Sequence, residues 1–527
     1  MLQSIHRRKP AILAPSTTDL LTTNGTPEPL RLRARRPAAP VLAALGVAAM
    51  LGGCVPQLGS RAPRPVDLSM PDAFAGTATA NVASAAVTSV RDFFRDEQLV
   101  ALIEQALANN QELAMLAAEV GIADAEVLDK RGESLPKVSA GVGVGIEKVG
   151  RYTSQGASDE SDQIKPGTSV PEHLGDFRAG FRATWEVDIW RKLRNASKAA
   201  GYRYLASIEG RNFAVTQLVA ELARSYYELM ALDNQLEVLG QNIEIQEQAL
   251  QIVRVQKQAA QVTELAVQRF EAEVLRNRGR LFDIQQRIVE TENRLNVLAG
   301  RFPQPIQRSS TAFLQMTAPI AAIGSPQLLL EHRPDLRRAE RELEAARLDV
   351  QVAKAGFYPS FGIDAEAGVD AYRMSRLSFW PESLAYSAVG GLMTPLWNRN
   401  SLTAAWFAAN LRQTQATLQV EKTIRMAYAE VCNQVSRIEK LGGKLATANR
   451  QVEILRAAIA VSNQLFGSAR ADYMEVLLTR RDALESQMEL IETKTRQLRA
   501  TVELYQALGG GWRDATDATA AIDGEDA

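Results

Sequence analysis

From about residue 191 onward, apolar side chains recur every third or fourth position for far longer than an ordinary globular helix requires. Val215, Leu218, Leu222, Ser225, Leu229, Leu232, Leu236, Leu239, Ile243, Gln246, Leu250 and Val253 hold that spacing, and ten of the twelve are apolar. Such a seam predicts a coiled-coil helix. A second seam follows through Val267, Phe270, Val274, Asn277, Leu281, Ile284, Ile288, Thr291, Leu295 and Leu298. The first helix, about Arg191–Gln258, contains no proline and would extend ~100 Å at the helical rise of about 1.5 Å per residue. The next is about half as long. Rods of this kind must pack on other rods, because an apolar stripe of such length cannot stay in water.

Between the helical stretches the period changes from 3.6 to two. Val138, Ala140, Val142, Val144 and Ile146 alternate with Ser139, Gly141, Gly143 and Gly145. The return strand interleaves Phe177, Ala179, Phe181, Ala183, Trp185 and Val187 with Arg178, Gly180, Arg182, Thr184, Glu186 and Asp188. Phe361, Ile363, Ala365, Ala367 and Val369 alternate with Gly362, Asp364, Glu366, Gly368 and Asp370, and a fainter strand spans about Ala385–Leu396. Strands of about 9–11 residues with one apolar and one polar face suit a transmembrane barrel. Arg178, Arg182, Glu186, Asp188, Asp364 and Glu366 would then line its aqueous lumen. Trp190 and Trp397, at equivalent strand ends, would sit in the interfacial aromatic girdle. Four strands cannot close a barrel, and an open sheet edge in hydrocarbon costs several kcal/mol for each unsatisfied backbone group. Copies must therefore pool strands. Two copies are the minimum and three give twelve strands; the pattern does not choose between them.

The chain makes this arrangement twice. A helix over Asp96–Arg131 leads through Ser134-Leu135-Pro136 into a strand, a long loop, and a second strand ending at Trp190; two helices then close at Leu298-Ala299-Gly300. The second half starts with a helix at about Pro334–Ala355 and passes Phe357-Tyr358-Pro359 into its hairpin. It returns to Trp397 and ends after two helices at Leu508-Gly509-Gly510-Gly511-Trp512. Trp190 and Gly300 are 110 positions apart, and Trp397 and Gly510 are 113 apart, so the halves match in length as well as order. The predicted fold is mixed and mainly α: a long helical coiled-coil barrel joined to a transmembrane β-barrel to which each protomer gives four strands. A signal segment covers 1–53 and a lipidated segment 54–95. Repeats at 96–300 and 334–512 are joined by 301–333, and a tail occupies 513–527.

The segment ahead of the repeats separates a membrane sheet from a soluble one, which would show the same alternation. Val41–Cys54 (VLAALGVAAMLGGC) is an apolar run behind Arg31, Arg33, Arg35 and Arg36, the form of a secretory signal. It is shorter than the about 20 residues that span a bilayer. Leu51-Gly52-Gly53-Cys54 looks like a bacterial lipobox, which makes Cys54 the residue that is acylated and held at the membrane. Val55 and Pro56 follow without an Asp, which by resemblance to enterobacterial lipoproteins favours the outer membrane. No later segment holds 18 uninterrupted apolar residues. With 46% hydrophobic residues the chain can bury a core. A net charge of -1, from 60 basic and 61 acidic residues, leaves no basic excess for nucleic acid. Three His and two Cys are too few and scattered for a metal centre built from them; Cys432, in a helical run, reads as a small buried side chain.

Phe94-Arg95-Asp96 through Leu113, with Asn110 before the helix, Trp185-Glu186-Val187-Asp188-Ile189-Trp190, Arg333-Pro334-Asp335-Leu336, Tyr358-Pro359-Ser360 and the terminal Leu504–Trp512 stretch occur in order on this duplicated frame. In these residues the chain resembles the TolC-like outer-membrane factors, and within them the lipoprotein branch of NodT type. The resemblance covers most of the chain after Cys54. It implies a homotrimer with twelve strands in one outer-membrane barrel, a helical tunnel across the periplasm, and an equatorial collar near Arg301–Pro326. It implies as partners a periplasmic adaptor and an inner-membrane pump, often of the resistance–nodulation–division class. Relatives carry a glycine three residues before a Ser, Asn or Asp in each tip turn; here Ala260 precedes Thr263 and Ala469 precedes Asp472. Relatives also close the tip with a hydrophobic ring and an Asp ring one turn on. Met474 matches the first, Leu478 replaces the second, and Glu475 is the nearest acidic substitute.

No catalytic site emerges. Glu186 and Asp188 share a strand face as an acid–base pair would, but they would line water in a barrel. His332-Arg333-Pro334-Asp335 superficially resembles a kinase loop yet lacks a glycine-rich nucleotide loop, and reads as a helix start with Pro334 in the first turn. No cofactor is implied. The expected function is the outer-membrane exit channel of a tripartite efflux system, passively conducting small molecules. Two alternatives stand beside it: a type I protein-secretion duct and a non-conducting structural coiled-coil lipoprotein.

Overall fold

The computed structural model describes residues 55–58, 64–74, 84–317, 319, 322–468, 470–471 and 473–513. Helices α1 (Val90–Phe94), α2 (Glu97–Asn109) and α3 (Gln111–Gly132) lead into β1 (Lys137–Glu147). The expected single helix over Asp96–Arg131 is thus two helices, broken at Asn110. That residue is extended, and its Oδ1 accepts the Leu113 amide at 3.0 Å, capping α3. Its Nδ2 donates to the Leu298 carbonyl at 2.9 Å, so one side chain starts one helix and satisfies the end of another. The long loop is also more ordered than expected. It holds α4 (Ser154–Ser161) and a small hairpin, β2 (Gln163–Lys165) with β3 (Thr168–Ser169), before β4 (Leu174–Val187).

The rods follow the apolar spacing. The first hairpin is α5 (Lys192–Gln258, 67 residues) and α6 (Glu264–Leu298, 35 residues). After α7 (Leu328–His332) and α8 (Pro334–Ala355) come β5 (Ser360–Ala371) and β6 (Leu384–Met393). The second hairpin is α9 (Asn400–Gly467, 68 residues) and α10 (Tyr473–Leu508, 36 residues). Every α5 position named in the seam is buried except Leu236, which is half-buried. Even its polar member is internal: Gln246 (1% exposed) accepts at Oε1 a hydrogen bond from Nδ2 of Asn277 (0% exposed) on α6, at 2.9 Å. Helix α5 packs on α3, α6, α8 and α10, and α8 lies between α5 and α9.

The two repeats end by the same device. Gly300 has φ +68, and a Cβ there would lie 2.1 Å from the Asn109 carbonyl oxygen. Gly509 has φ +90, and a Cβ there would lie 2.5 Å from the His332 carbonyl oxygen. Only glycine accepts both the left-handed backbone and the close approach. Arg333 takes the bridging part that Asn110 has in the first repeat. It is 5% exposed, donates to the Ala507 carbonyl at 2.9 Å, and pairs with Asp335 at 2.7 Å and Glu430 at 2.8 Å.

The long strands form one antiparallel sheet in the order β1-β4-β5-β6. Its register sets apolar on apolar across all four strands: Ala140 faces Phe181, Phe181 faces Ala367, and Ala367 faces Tyr386. On the other face Ser139, Arg182, Glu366 and Ser387 share one row. The faintness of β6 in the sequence has a simple cause. Its residues on the charged side include Val389 and Met393, so alternation there is apolar against apolar.

Candidate channel wall and tip

On the charged face of the sheet, Arg182 stands between two carboxylates, 3.3 Å from Glu366 and 3.8 Å from Asp364. Arg178 pairs with Asp176, and Glu186 with Lys192 at 3.0 Å. Pairing of exposed charges at this spacing contributes little stability; it leaves a face that water solvates readily. Five of the six residues expected in the lumen lie on this face. Asp188 does not. The strand ends at Val187, and Asp188 accepts the Leu193 amide at 3.1 Å and the Arg194 amide at 2.9 Å, capping α5. Trp190 likewise lies beyond the strand, donating to the Pro359 carbonyl at 2.7 Å and stacking on Tyr358 at 4.9 Å. Trp397, past β6, is 91% exposed.

The apolar face is uncovered. Val142, Ile146 and Tyr386 are 83%, 77% and 80% exposed. The sheet's two edges, β1 and β6, have no strand partner beyond them among the described residues. The rods repeat this incompleteness. Helix α8 is held between α5 and α9, whereas its counterpart α3 packs on α5 and leaves Met115, Ile122 and Leu128 exposed. The outer side of α9 leaves Leu411, Leu418 and Met426 exposed.

At the far end of the rods, Ala260 takes φ +57 in the turn between α5 and α6, and Thr263 is the N-cap residue of α6. The turn therefore takes the left-handed geometry that glycine adopts most cheaply, with alanine bearing the strain. Ala469 and Asp472, of the matching turn, lie outside the described residues, as does Cys54. Met474, Glu475 and Leu478 fall in the first two turns of α10, with Glu475 and Leu478 exposed. Two features were missed in the sequence. Arg269 of α6 reaches the Met474 sulfur, Nη1 to Sδ 2.9 Å. Leu477, one residue before Leu478, is buried with Leu250, Val253, Val267 and Phe270, tying α10 to the first hairpin's tip. Phe270 and Val267 already stand in the α6 seam; what was hidden was the third helix covering them. Nearby, Arg480 donates to Asn463 at 3.1 Å, and burial lowers its pKa.

A four-stranded sheet with one wet and one bare face, set on paired rods and made twice, is shared with known proteins. Residues 102–301 and 325–510 match the family described as outer membrane efflux protein. The chain belongs to that family. It is 29% identical over 420 residues to the pyoverdine export outer membrane protein OpmQ of Pseudomonas putida, covering 80% of this chain and 87% of that one. It is 26% identical over 468 residues to the solvent efflux pump outer membrane protein SrpC of Pseudomonas putida, covering 88% and 96%. The solved outer-membrane channel OprN superposes with a TM-score of 0.75 at 23% identity, covering 86% of this chain and 99% of that one. The family is one of channel proteins rather than enzymes. Membership places this chain in the outer membrane as the exit channel of a tripartite efflux system.

Proposed function

We propose that three copies of the chain close into one conduit and that small molecules expelled by an inner-membrane pump leave passively through it. The observation that supports this is that the protomer lacks the same partner twice. The two hairpins join at β4–β5, and α8 fills the space between α5 and α9. If β6 of one copy pairs with β1 of the next, and α3 of that next copy packs on α9, each internal joint recurs between copies. That is a head-to-tail contact which closes when the rotation does. Three copies fit better than two. An eight-stranded barrel is just wide enough for its own side chains to fill, whereas twelve strands leave water inside, as the charged face requires. Arg178, Arg182, Glu186, Asp364 and Glu366 then line the lumen and the apolar face meets lipid.

In this reading Cys54 carries the acyl anchor. The turns around Ala260–Thr263 and Ala469–Asp472 meet a periplasmic adaptor, and beyond it stands a pump of the resistance–nodulation–division kind. Met474 rings form the tip constriction, with Leu478 where relatives have an acid. The test is conductance of the purified protein in planar bilayers. Stable ohmic steps from a heat-modifiable trimer are expected. A trimer that inserts and conducts nothing would leave a structural lipoprotein as the better reading.

A further inference from the structure

We propose that the β5–β6 loop, residues 372–383, is a clamp for phosphorylated lipid headgroups in the outer leaflet. The proposal rests on the reading above that the sheet's apolar face meets lipid. Both strands of each hairpin connect to helices at one end of the sheet, so this loop stands at the opposite, outward end. It is a framed loop. The Arg376 amide donates to the Arg373 carbonyl at 2.9 Å, the Phe379 amide to Arg376 at 3.0 Å, and the Ser383 amide to Phe379 at 2.9 Å. Buried Ser383 adds a bond from its hydroxyl to the Arg376 carbonyl at 2.5 Å, and its own carbonyl accepts the Asp370 amide of β5 at 2.8 Å.

That frame displays a particular mixture. Met374, Phe379 and Trp380 are 72%, 50% and 69% exposed, in the loop that leads into β6, where Tyr386 stands on the bare face. Among them Arg376 lies over the Phe379 ring at 4.7 Å and Arg373 over the Tyr372 ring at 5.7 Å. Among the described residues, neither guanidinium has a carboxylate within ion-pair distance, and Glu382 is the loop's one acid. The other outward loop differs: there Lys148 pairs with Glu172 at 2.8 Å and Arg151 with Glu160 at 3.0 Å. Arginine forks without carboxylates, beside exposed aromatic and thioether side chains at the rim of a lipid-facing sheet, fit a phosphate group with an acyl chain below it. The guanidinium supplies two parallel donors to phosphate oxygens, and the rings take the headgroup–acyl boundary.

Trp380 is a built-in reporter. The full-length protein is reconstituted in bilayers of phosphatidylcholine with brominated phosphatidic acid, or the reverse labelling. The quenching that Trp380→Phe removes then gives the lipid preference at the loop. Wild type should favour the phosphate monoester lipid. The double variant Arg373→Gln/Arg376→Gln should lose roughly thirtyfold in that preference, from about 1 kcal/mol for each basic residue near an anionic surface. Arg450→Gln/Arg456→Gln on α9 changes charge equally and should leave the preference intact. Added inorganic phosphate should not displace the lipid; displacement would mean an anion site with no lipid component and would overturn the proposal. So would equal quenching by both lipids in wild type, or a preference that survives in the double variant. The same preparations are measured for conductance. Loss of conductance in wild type defeats the channel reading, whereas conductance without lipid preference defeats only the clamp.

Discussion

Replacing Asn277 by Leu exposes what the polar pair inside the first rod does. Gln246 and Asn277 are 1% and 0% exposed and share one hydrogen bond of 2.9 Å in a mostly apolar seam. The Gln246 Nε2 is already buried without a partner, and the single change removes the partner of its Oε1 as well, at a cost of about 1–3 kcal/mol. Replacing both residues by Leu removes the unpaired group and returns stability to near wild type or above it, provided the larger side chains fit. Hydrogen exchange, resolved by mass spectrometry on peptides spanning 243–250 and 274–281, isolates the rod from the rest of the assembly. Asn277→Leu should speed exchange there roughly five- to 150-fold, by the conversion of about 1.4 kcal/mol per tenfold. Gln246→Leu/Asn277→Leu should cancel most of that, a coupling that a double-mutant cycle reads directly. If the single and double variants exchange equally fast, Gln246 and Asn277 do not act as one energetic unit.

Asn110→Ala removes a cap and a donor to the Leu298 carbonyl together, and should cost roughly 2–3 kcal/mol. Faster exchange at both 111–114 and 296–300 is the sign; a change confined to one of these would mean the bridge carries no load. Ala260→Gly relieves left-handed strain of about 1 kcal/mol at the α5–α6 turn, while Ala260→Val increases it. Limited proteolysis of that turn should slow in the first and quicken in the second, and the reverse order refutes the strain argument. Leu478→Asp should raise cation selectivity severalfold in single-channel reversal potentials, by Coulomb attraction in a narrow pore; unchanged selectivity excludes this position from the constriction. Burial, then the neighbouring Arg513 guanidinium at 2.7 Å, lowers the pKa of His332 below its ordinary value of 6.5. As pH falls the unfolded chain takes the proton first, so docking of residues 509–513 is at full strength above about pH 6.5 and weakens below it. Exchange of that segment, corrected for intrinsic rates, should show this loss, and His332→Gln should abolish it.

The rods and the sheet were legible because their periods are imposed by what they bury. A seam running along a 67-residue helix tolerates few exceptions, and even Ser225 and Gln246 kept the spacing and proved internal. The duplication was legible in lengths alone, although its physical expression, a glycine pressed on a carbonyl at Gly300 and Gly509, was not. Misses came where local chemistry overrides period. The spacing runs one helix through Asn110, whereas the residue caps α3, as its place before a helix in the motif implies, and its amide finds a carbonyl 188 residues away. Asp188 extends the polar alternation of β4 by one residue and then serves helix α5 instead. Contacts of the segment after Cys54 left no trace in periodicity either. Arg64 pairs with Glu421 at 2.7 Å, Trp406 donates to the Pro56 carbonyl at 3.3 Å, and Tyr428 to that of Ala73 at 3.1 Å, so Pro56, Arg64 and Ala73 all lie against α9. Such contacts depend on which surfaces meet, and no local pattern encodes that.

The most direct measurement is disulfide trapping between the sheet's two free edges. In a Cys432→Ser background, single cysteines along the outer edge of β1 are combined with single cysteines along β6 and oxidised in intact cells. Cross-linked trimers should form at one register, with antiparallel order: as the β1 position moves toward Glu147, the β6 position that reacts should move toward Leu384. Cross-links in no register, or a ladder that stops at dimers, would contradict closure of the sheet by three copies.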